Sequence, residues 1–192
     1  MIIKRKAVTL VEISIGVILS ALLLVAIMNL FSSGMKGSVK GLAHQANMET
    51  ASILMSQIEY DLLRCVKISQ PEANLEEDFD KAIWDTNYIA SGKRKSATVT
   101  YTRLGNGIGV ERELKSTGEK PLKTVFAKDK KVELSFKHLR VNMGSQDVPL
   151  YKHGMLVKMT ISSKDSKKVG VNSEESFSLS RLIISRGHEP IR

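Results

Sequence analysis

Val8-Thr9-Leu10-Val11-Glu12-Ile13-Ser14-Ile15-Gly16-Val17-Ile18-Leu19-Ser20-Ala21-Leu22-Leu23-Leu24-Val25-Ala26-Ile27-Met28-Asn29-Leu30-Phe31 is the stretch that decides the architecture, because these 24 residues carry a single charge, Glu12. As a helix rising about 1.5 Å per residue the run is about 36 Å long, enough to cross a bilayer core about 30 Å thick. Lys4, Arg5 and Lys6 precede it, and no acid stands among the first seven residues. The excess of positive charge predicts a cytoplasmic N-terminus, with everything after Phe31 outside. A secretory signal has a shorter apolar core, about 7 to 15 residues, and a small-x-small exit, which Phe31-Ser32-Ser33-Gly34 fits poorly. A plain anchor accounts for the length but not for Glu12. An ionisable group in a membrane costs at least about 2.5 to 3.5 kcal/mol on insertion scales and marks a function and a partner.

The remainder of the chain is ordinary globular material. Of 192 residues, 26% are charged and 42% apolar, which excludes a disordered or collagenous chain and leaves room for one domain with an appendage. One cysteine, Cys65, excludes an intramolecular disulfide and a multi-cysteine zinc site.

After Phe31 the sequence turns polar while a helical period persists. Met35, Val39, Leu42 and Ala46 are followed, after a slip, by Ala51, Met55, Ile58, Leu62 and Cys65. This pattern predicts an amphipathic helix over 32–70, bounded by Pro71, with Glu49, Gln57, Glu59, Arg64 and Lys67 on its outer face. Gly34, Gly37 and Gly41 mark either a flexible stretch or close packing across small residues. Beyond Pro71 the period changes to two. Val99 and Tyr101 alternate with threonines, Gly105-Asn106-Gly107 offers a tight turn, and Ile108 and Val110 alternate again, as in a β-hairpin. Leu122–Phe126, Val132–Phe136, Met155–Ile161 and Phe177–Ile183 supply further strands, the last two separated by a long polar loop over Ser162–Ser176. Strands without intervening helices predict antiparallel pairing. The expected class is α+β: a long N-terminal helix, half transmembrane (8–31) and half amphipathic, packed on an antiparallel sheet formed from 71–192.

Lys6-Ala7-Val8-Thr9-Leu10-Val11-Glu12 resembles the processing site of type IV pilin-like proteins, in which a basic leader and a small residue precede a Phe-Thr-Leu-Ile-Glu-like start. The resemblance implies that residues 1–7 are a leader, removed between Ala7 and Val8 by a prepilin peptidase on the cytoplasmic side. It implies N-methylation of Val8 and makes Glu12 the fifth residue of the mature chain, where the family keeps its acid. The family mostly has Gly before the cut and Phe after it; here Ala7 and Val8 stand there. A free amine at Val8 and the Glu12 carboxylate, paired between neighbouring subunits in lipid, would satisfy each other; the alternative is that Glu12 snorkels to the headgroups. Ile58-Glu59-Tyr60-Asp61-Leu62-Leu63-Arg64-Cys65-Val66 is also similar to a hydrophobic-Glu-x-Asp-Leu-Arg stretch of J-type minor pseudopilins and large minor pilins, with Arg64 one place later than that pattern has it.

The family implies a pilin-like α+β fold and a minor pilin or minor pseudopilin, assembling through its N-terminal helix into a type IV pilus or a type II secretion pseudopilus. The size, and the lack of a cysteine pair to staple a C-terminal loop, favour an initiating or tip-located role. Implied partners are the prepilin peptidase, other pilins or pseudopilins, an inner-membrane platform protein and an assembly ATPase. The implied location is the inner membrane, with the C-terminal part periplasmic, and then the filament. The competing reading is a single-pass membrane-anchored periplasmic binding module, with DNA binding in uptake as one use.

No enzymatic constellation emerges, and no cofactor or metal is expected. Gly105, Gly107 and Gly109 lack phosphate-loop spacing and lead into a strand rather than a helix. His44, His138, His153 and His188 show no ligand spacing. Glu76, Glu77, Asp78 and Asp80 offer oxygens for Ca²⁺ but lack the alternating acids and turn glycine of an EF-hand, so a solvated linker is expected. The formal charge is +9, and removing Lys4, Arg5 and Lys6 leaves 26 basic against 20 acidic residues, or +6. The clusters Lys93-Arg94-Lys95, Lys128 with Lys130 and Lys131, and Lys164 with Lys167 and Lys168 would attract nucleic acid or an anionic membrane surface. With few aromatics among them to stack bases, they read as solvated loop charge.

Overall fold

The apolar run and the amphipathic stretch form one unbroken helix, α1 (Leu10–Leu63), in a computed structural model that describes residues 9–72, 78–90, 93–142, 151–163 and 176–184. The chain divides into two units, 1–42 and 43–192. In the first, the large apolar side chains of α1 are exposed, from Leu10 (82%) to Phe31 (71%). Gly34, Gly37 and Gly41 are helical, and an added Cβ at any of them would meet nothing within 4 Å, so this chain's own packing does not require their small size.

In the second unit α1 buries Asn47, Ala51, Leu54, Met55, Ile58, Asp61 and Leu62, a stripe at helical spacing. It packs against seven strands: β1 (Cys65–Gln70), β2 (Lys81–Ala90), β3 (Lys93–Arg103), β4 (Ile108–Ser116), β5 (Leu122–Asn142), β6 (Tyr151–Ser163) and β7 (Ser176–Ile184). They lie in sequence order in one sheet, each antiparallel to the next. The α+β expectation holds at this level.

Three elements differ from what the pattern predicts. The helix ends at Leu63, not near residue 70, and Cys65–Gln70 pairs with β2 instead. Val66 and Ile68 are β-branched and favour the strand; Cys65 is buried as its place in the stripe demands, but from β1. The pattern does not predict β2, because apolar Ile83 stands between the buried Ala82 and Trp84 and the next buried position, Thr86, is polar, so apolar and polar residues do not alternate cleanly. The segments around Leu122–Phe126 and Val132–Phe136 are a single strand, β5, whose first half pairs with β4 and whose second half pairs with β6. The loop between β6 and β7, over 164–175, lies outside the described residues.

At the β4–β5 junction the register shifts between Ile108 and Val110, and Ala127 adopts φ 53°. Gly109 sits there at φ 85°, and an added Cβ would lie 2.9 Å from the Phe126 carbonyl oxygen. Only glycine fits this bulge without strain. Farther along β5, Phe79 and Phe136 exchange backbone hydrogen bonds of 3.0 and 2.8 Å, so the sheet curls until the approach to β2 meets β5.

Inside the curl, Leu54, Ile58 and Leu62 pack with Trp84, Tyr101, Phe136, Met155 and Met159. The rings of Trp84 and Tyr101 stack at 5.3 Å and 19°. Trp84, the chain's one tryptophan, reports on this core. Gly109→Ala should lower stability by more than about 1 kcal/mol through its positive φ alone, read as an earlier urea midpoint of Trp84 fluorescence.

Candidate functional site

Two polar centres mark α1, one at its start and one in its last turn. At the start, Thr9 and Glu12 form a reciprocal cap. The Thr9 backbone N–H donates to Glu12 Oε2 at 2.9 Å, the Thr9 hydroxyl donates to the same oxygen at 3.1 Å, and the Glu12 N–H donates to Thr9 Oγ1 at 3.3 Å. This is a capping box, which satisfies N–H groups that the first helical turn leaves without partners. Glu12 thus has a role within its own chain that attention to its charge alone overlooks. The signal, Thr-x-x-Glu ahead of an apolar run, is present in the sequence. Glu12 is exposed at the head of the apolar helix, whereas Ala7 and Val8 lie outside the described residues. Among the described residues α1 is the one helix long and apolar enough to cross a membrane.

In the last turn, Asp61 is 4% exposed. Arg112 of β4 answers it with a two-pronged contact, Nε to Oδ2 at 2.7 Å and Nη2 to Oδ1 at 3.0 Å. The Tyr101 hydroxyl of β3 donates to Oδ2 at 2.7 Å, and Gln57, one turn earlier, donates to Oδ1 at 3.4 Å. Burial pushes the Tyr101 hydroxyl far above its usual pKa, and the neighbouring carboxylate adds to the effect, so it remains a neutral donor. The hydrogen bond to Asp61 raises Arg112 further, against the opposing effect of its own burial. Every strong acceptor site of the carboxylate is thereby met from the helix or the sheet. Asp61 lies in the Glu-x-Asp-Leu stretch singled out by sequence. The alternation marks Tyr101 only as an inward strand residue, and Arg112 carries no sequence signal for this role.

The remaining candidates are dispersed or already engaged. Asp78 accepts from Lys158 at 3.0 Å and from the Ser135 hydroxyl at 3.5 Å, and Asp80 lies 3.9 Å from Arg103. Glu76 and Glu77 lie outside the described residues, and among those described no three His, Cys, Asp or Glu side chains are placed to hold a metal. Lys130 is no solvated loop charge: it donates to the Ala46 carbonyl and, at 2.8 Å, to the Thr50 hydroxyl, clamping α1 to β5, and burial lowers its pKa. Lys95 pairs with Glu119 and Lys131 with Glu133. Lys164, Lys167, Lys168 and His188 lie outside the described residues. His44 meets Phe177 edge-on at 5.7 Å. His138 and His153, unrelated by spacing, are brought together with their ring nitrogens 2.6 Å apart.

No family model, curated protein or solved structure matches the chain.

Asp61→Ala should cost about 3 to 5 kcal/mol, because it strands Arg112 and Tyr101 in the core. The double replacement of Asp61 and Arg112 by Leu and Met should recover much of that loss. Urea unfolding of the two variants beside the parent chain measures both.

Proposed function

We propose that this chain is a pilin-like structural subunit, a minor pilin or minor pseudopilin, inserted in the inner membrane and assembled through α1 into a filament. One observation carries the proposal. A lone carboxylate, Glu12, heads a helix whose large apolar side chains are exposed from Leu10 to Phe31, five residues after the Ala7–Val8 bond and the basic Lys4-Arg5-Lys6 that precedes it. An exposed apolar band of this extent needs lipid or other helices around it. A bilayer provides the first environment, and a bundle of like helices provides the second when the subunit leaves the membrane.

In such a bundle the Val8 amine exposed by cleavage needs an anion as much as Glu12 needs a cation, and pairing between neighbours satisfies both. The cap is compatible with this. Both Thr9 bonds fall on Oε2, and a carboxylate has acceptor capacity for about four hydrogen bonds. Glu12 can hold its own helix end while it receives the amine of the next subunit. The sheet domain, set on the helix by Asp61, then decorates the filament. The work of extraction belongs to an ATPase on the cytoplasmic side, so the subunit itself needs no active site.

N-terminal sequencing of the chain expressed with and without a prepilin peptidase tests the assignment. Methyl-Val8 and the loss of seven residues are expected only with the peptidase; an uncleaved chain in both cases rejects it. Glu12→Leu should leave insertion and cleavage intact and reduce incorporation into filaments at least tenfold, scored by the subunit's recovery in sheared filament fractions.

A further inference from the structure

The two outer strands of the sheet are built differently. β1 is six residues long, and its pairing with β2 slips register twice, between Cys65 and Lys67 and between Ile68 and Gln70. Lys67 is exposed, and Pro71 follows the strand. Short length, bulges, an outward lysine and a proline are the devices that keep a sheet edge from pairing with another chain. β7 has none of them. Its nine residues, Ser-Phe-Ser-Leu-Ser-Arg-Leu-Ile-Ile, pair with β6 from Ser176 to Ile184 without a slip. They include no proline and a single charge, and that charge is engaged within the chain, where Arg181 pairs with Glu59 of α1.

Among the described residues β7 is paired on one side only, by β6. Every second residue directs its N–H and C=O to the other side. Ser176, Ser178, Ser180, Arg181 and Leu182 are exposed, while Phe177, Leu179 and Ile183 pack toward the core.

We propose that the β7 edge receives an extended strand from a second, different protein. Main-chain hydrogen bonds hold that strand, and the two faces of β7 select its side chains. On the core side it continues the row of Phe177, Leu179 and Ile183 and carries apolar residues; on the other side it lies beside Ser176, Ser178 and Ser180 and carries small polar ones. Another copy of this chain does not fit. A closed pair of β7 edges is antiparallel, and β7 runs in the direction of α1, since Phe177 lies beside His44 and Arg181 beside Glu59. The α1 helices of such a pair would point in opposite directions, against the common insertion in one membrane proposed above; the choice of a different protein rests on that reading. The sheet's other described edge, β1, is the blunted one.

A synthetic peptide with the sequence of Met155–Ser162 serves as the probe, because that segment already pairs with β7 from the other side, with Val157, Met159 and Ile161 in the core. In hydrogen–deuterium exchange of the full-length protein in detergent micelles, excess peptide should slow exchange at least about tenfold across residues 176–184 and leave 65–70 unchanged. Two further versions of the peptide carry N-methyl groups on alternate residues, one at the positions of Val157, Met159 and Ile161, the other at those of Leu156, Lys158 and Thr160. A strand added antiparallel to β7 aims only one of these sets of N–H groups at the edge. One version should therefore act like the parent peptide and the other should have no effect. Equal action or equal inaction of the two versions, or no slowing by the parent peptide, overturns the proposal. So does slowing of β7 exchange with rising protein concentration in the absence of peptide, which would assign the edge to a second copy. Processing at Val8 does not enter this readout, so its failure and that of the pilin reading are separable.

Discussion

A carboxylate withdrawn from water in the last turn of α1 must be met by donors, and meeting it fixes the helix on the sheet. An apolar set of the same volume would pack at least as stably, since removing two charges from water offsets much of their attraction. What Arg112 adds is direction. A planar guanidinium engages both oxygens of Asp61 at one rotation and one height of the helix, and Tyr101 approaches the same carboxylate from the neighbouring strand. Hydrophobic contact between Leu54, Ile58 and the sheet tolerates sliding; this fork does not. Near the other end of the buried stripe Lys130 grips the Ala46 carbonyl, so polar contacts bracket the apolar stripe.

The same helix meets two environments. From residue 43 onward one face is covered by the sheet, with Ala51, Leu54 and Ile58 fully buried. Before it, the apolar side chains are exposed among the described residues, and the glycines at 34, 37 and 41 have open space around them. Small residues that nothing in their own chain requires are suited to close approach by another helix, which accords with the proposed assembly through α1. The Thr9–Glu12 cap gives the N-terminal end of α1 a defined beginning from within its own chain.

Periodicity carried most of the fold. The inward alternation at Val99, Tyr101 and Val110, the Gly105-Asn106-Gly107 turn and the stripe through Ala51, Met55, Ile58 and Leu62 were legible because one face of each element is apolar. The failures have equally local causes. Cys65 continues the helical stripe by spacing, but Val66 and Ile68 prefer strand geometry, and only the presence of β2 as a partner decides between them. β2 itself is hidden by Ile83, an apolar residue between two buried ones, and by Thr86, a polar residue at a buried position, which together break the alternation that marks a strand. Of the polar centres, Glu12 was conspicuous as a charge among apolar neighbours. Arg112 and the His138–His153 pair were invisible, because their partners are 51 and 15 residues away in sequence and only the curl of the sheet brings them together.

Cys65, the first residue of β1, is completely buried where the helix hands the chain to the sheet. A thiol sealed at that junction cannot meet an oxidant or a second thiol while the molecule is folded. Covalent dimers would therefore be a fingerprint of molecules that have lost their native packing. Under oxidising conditions this single sulfur would stay silent in folded molecules and record the unfolded ones.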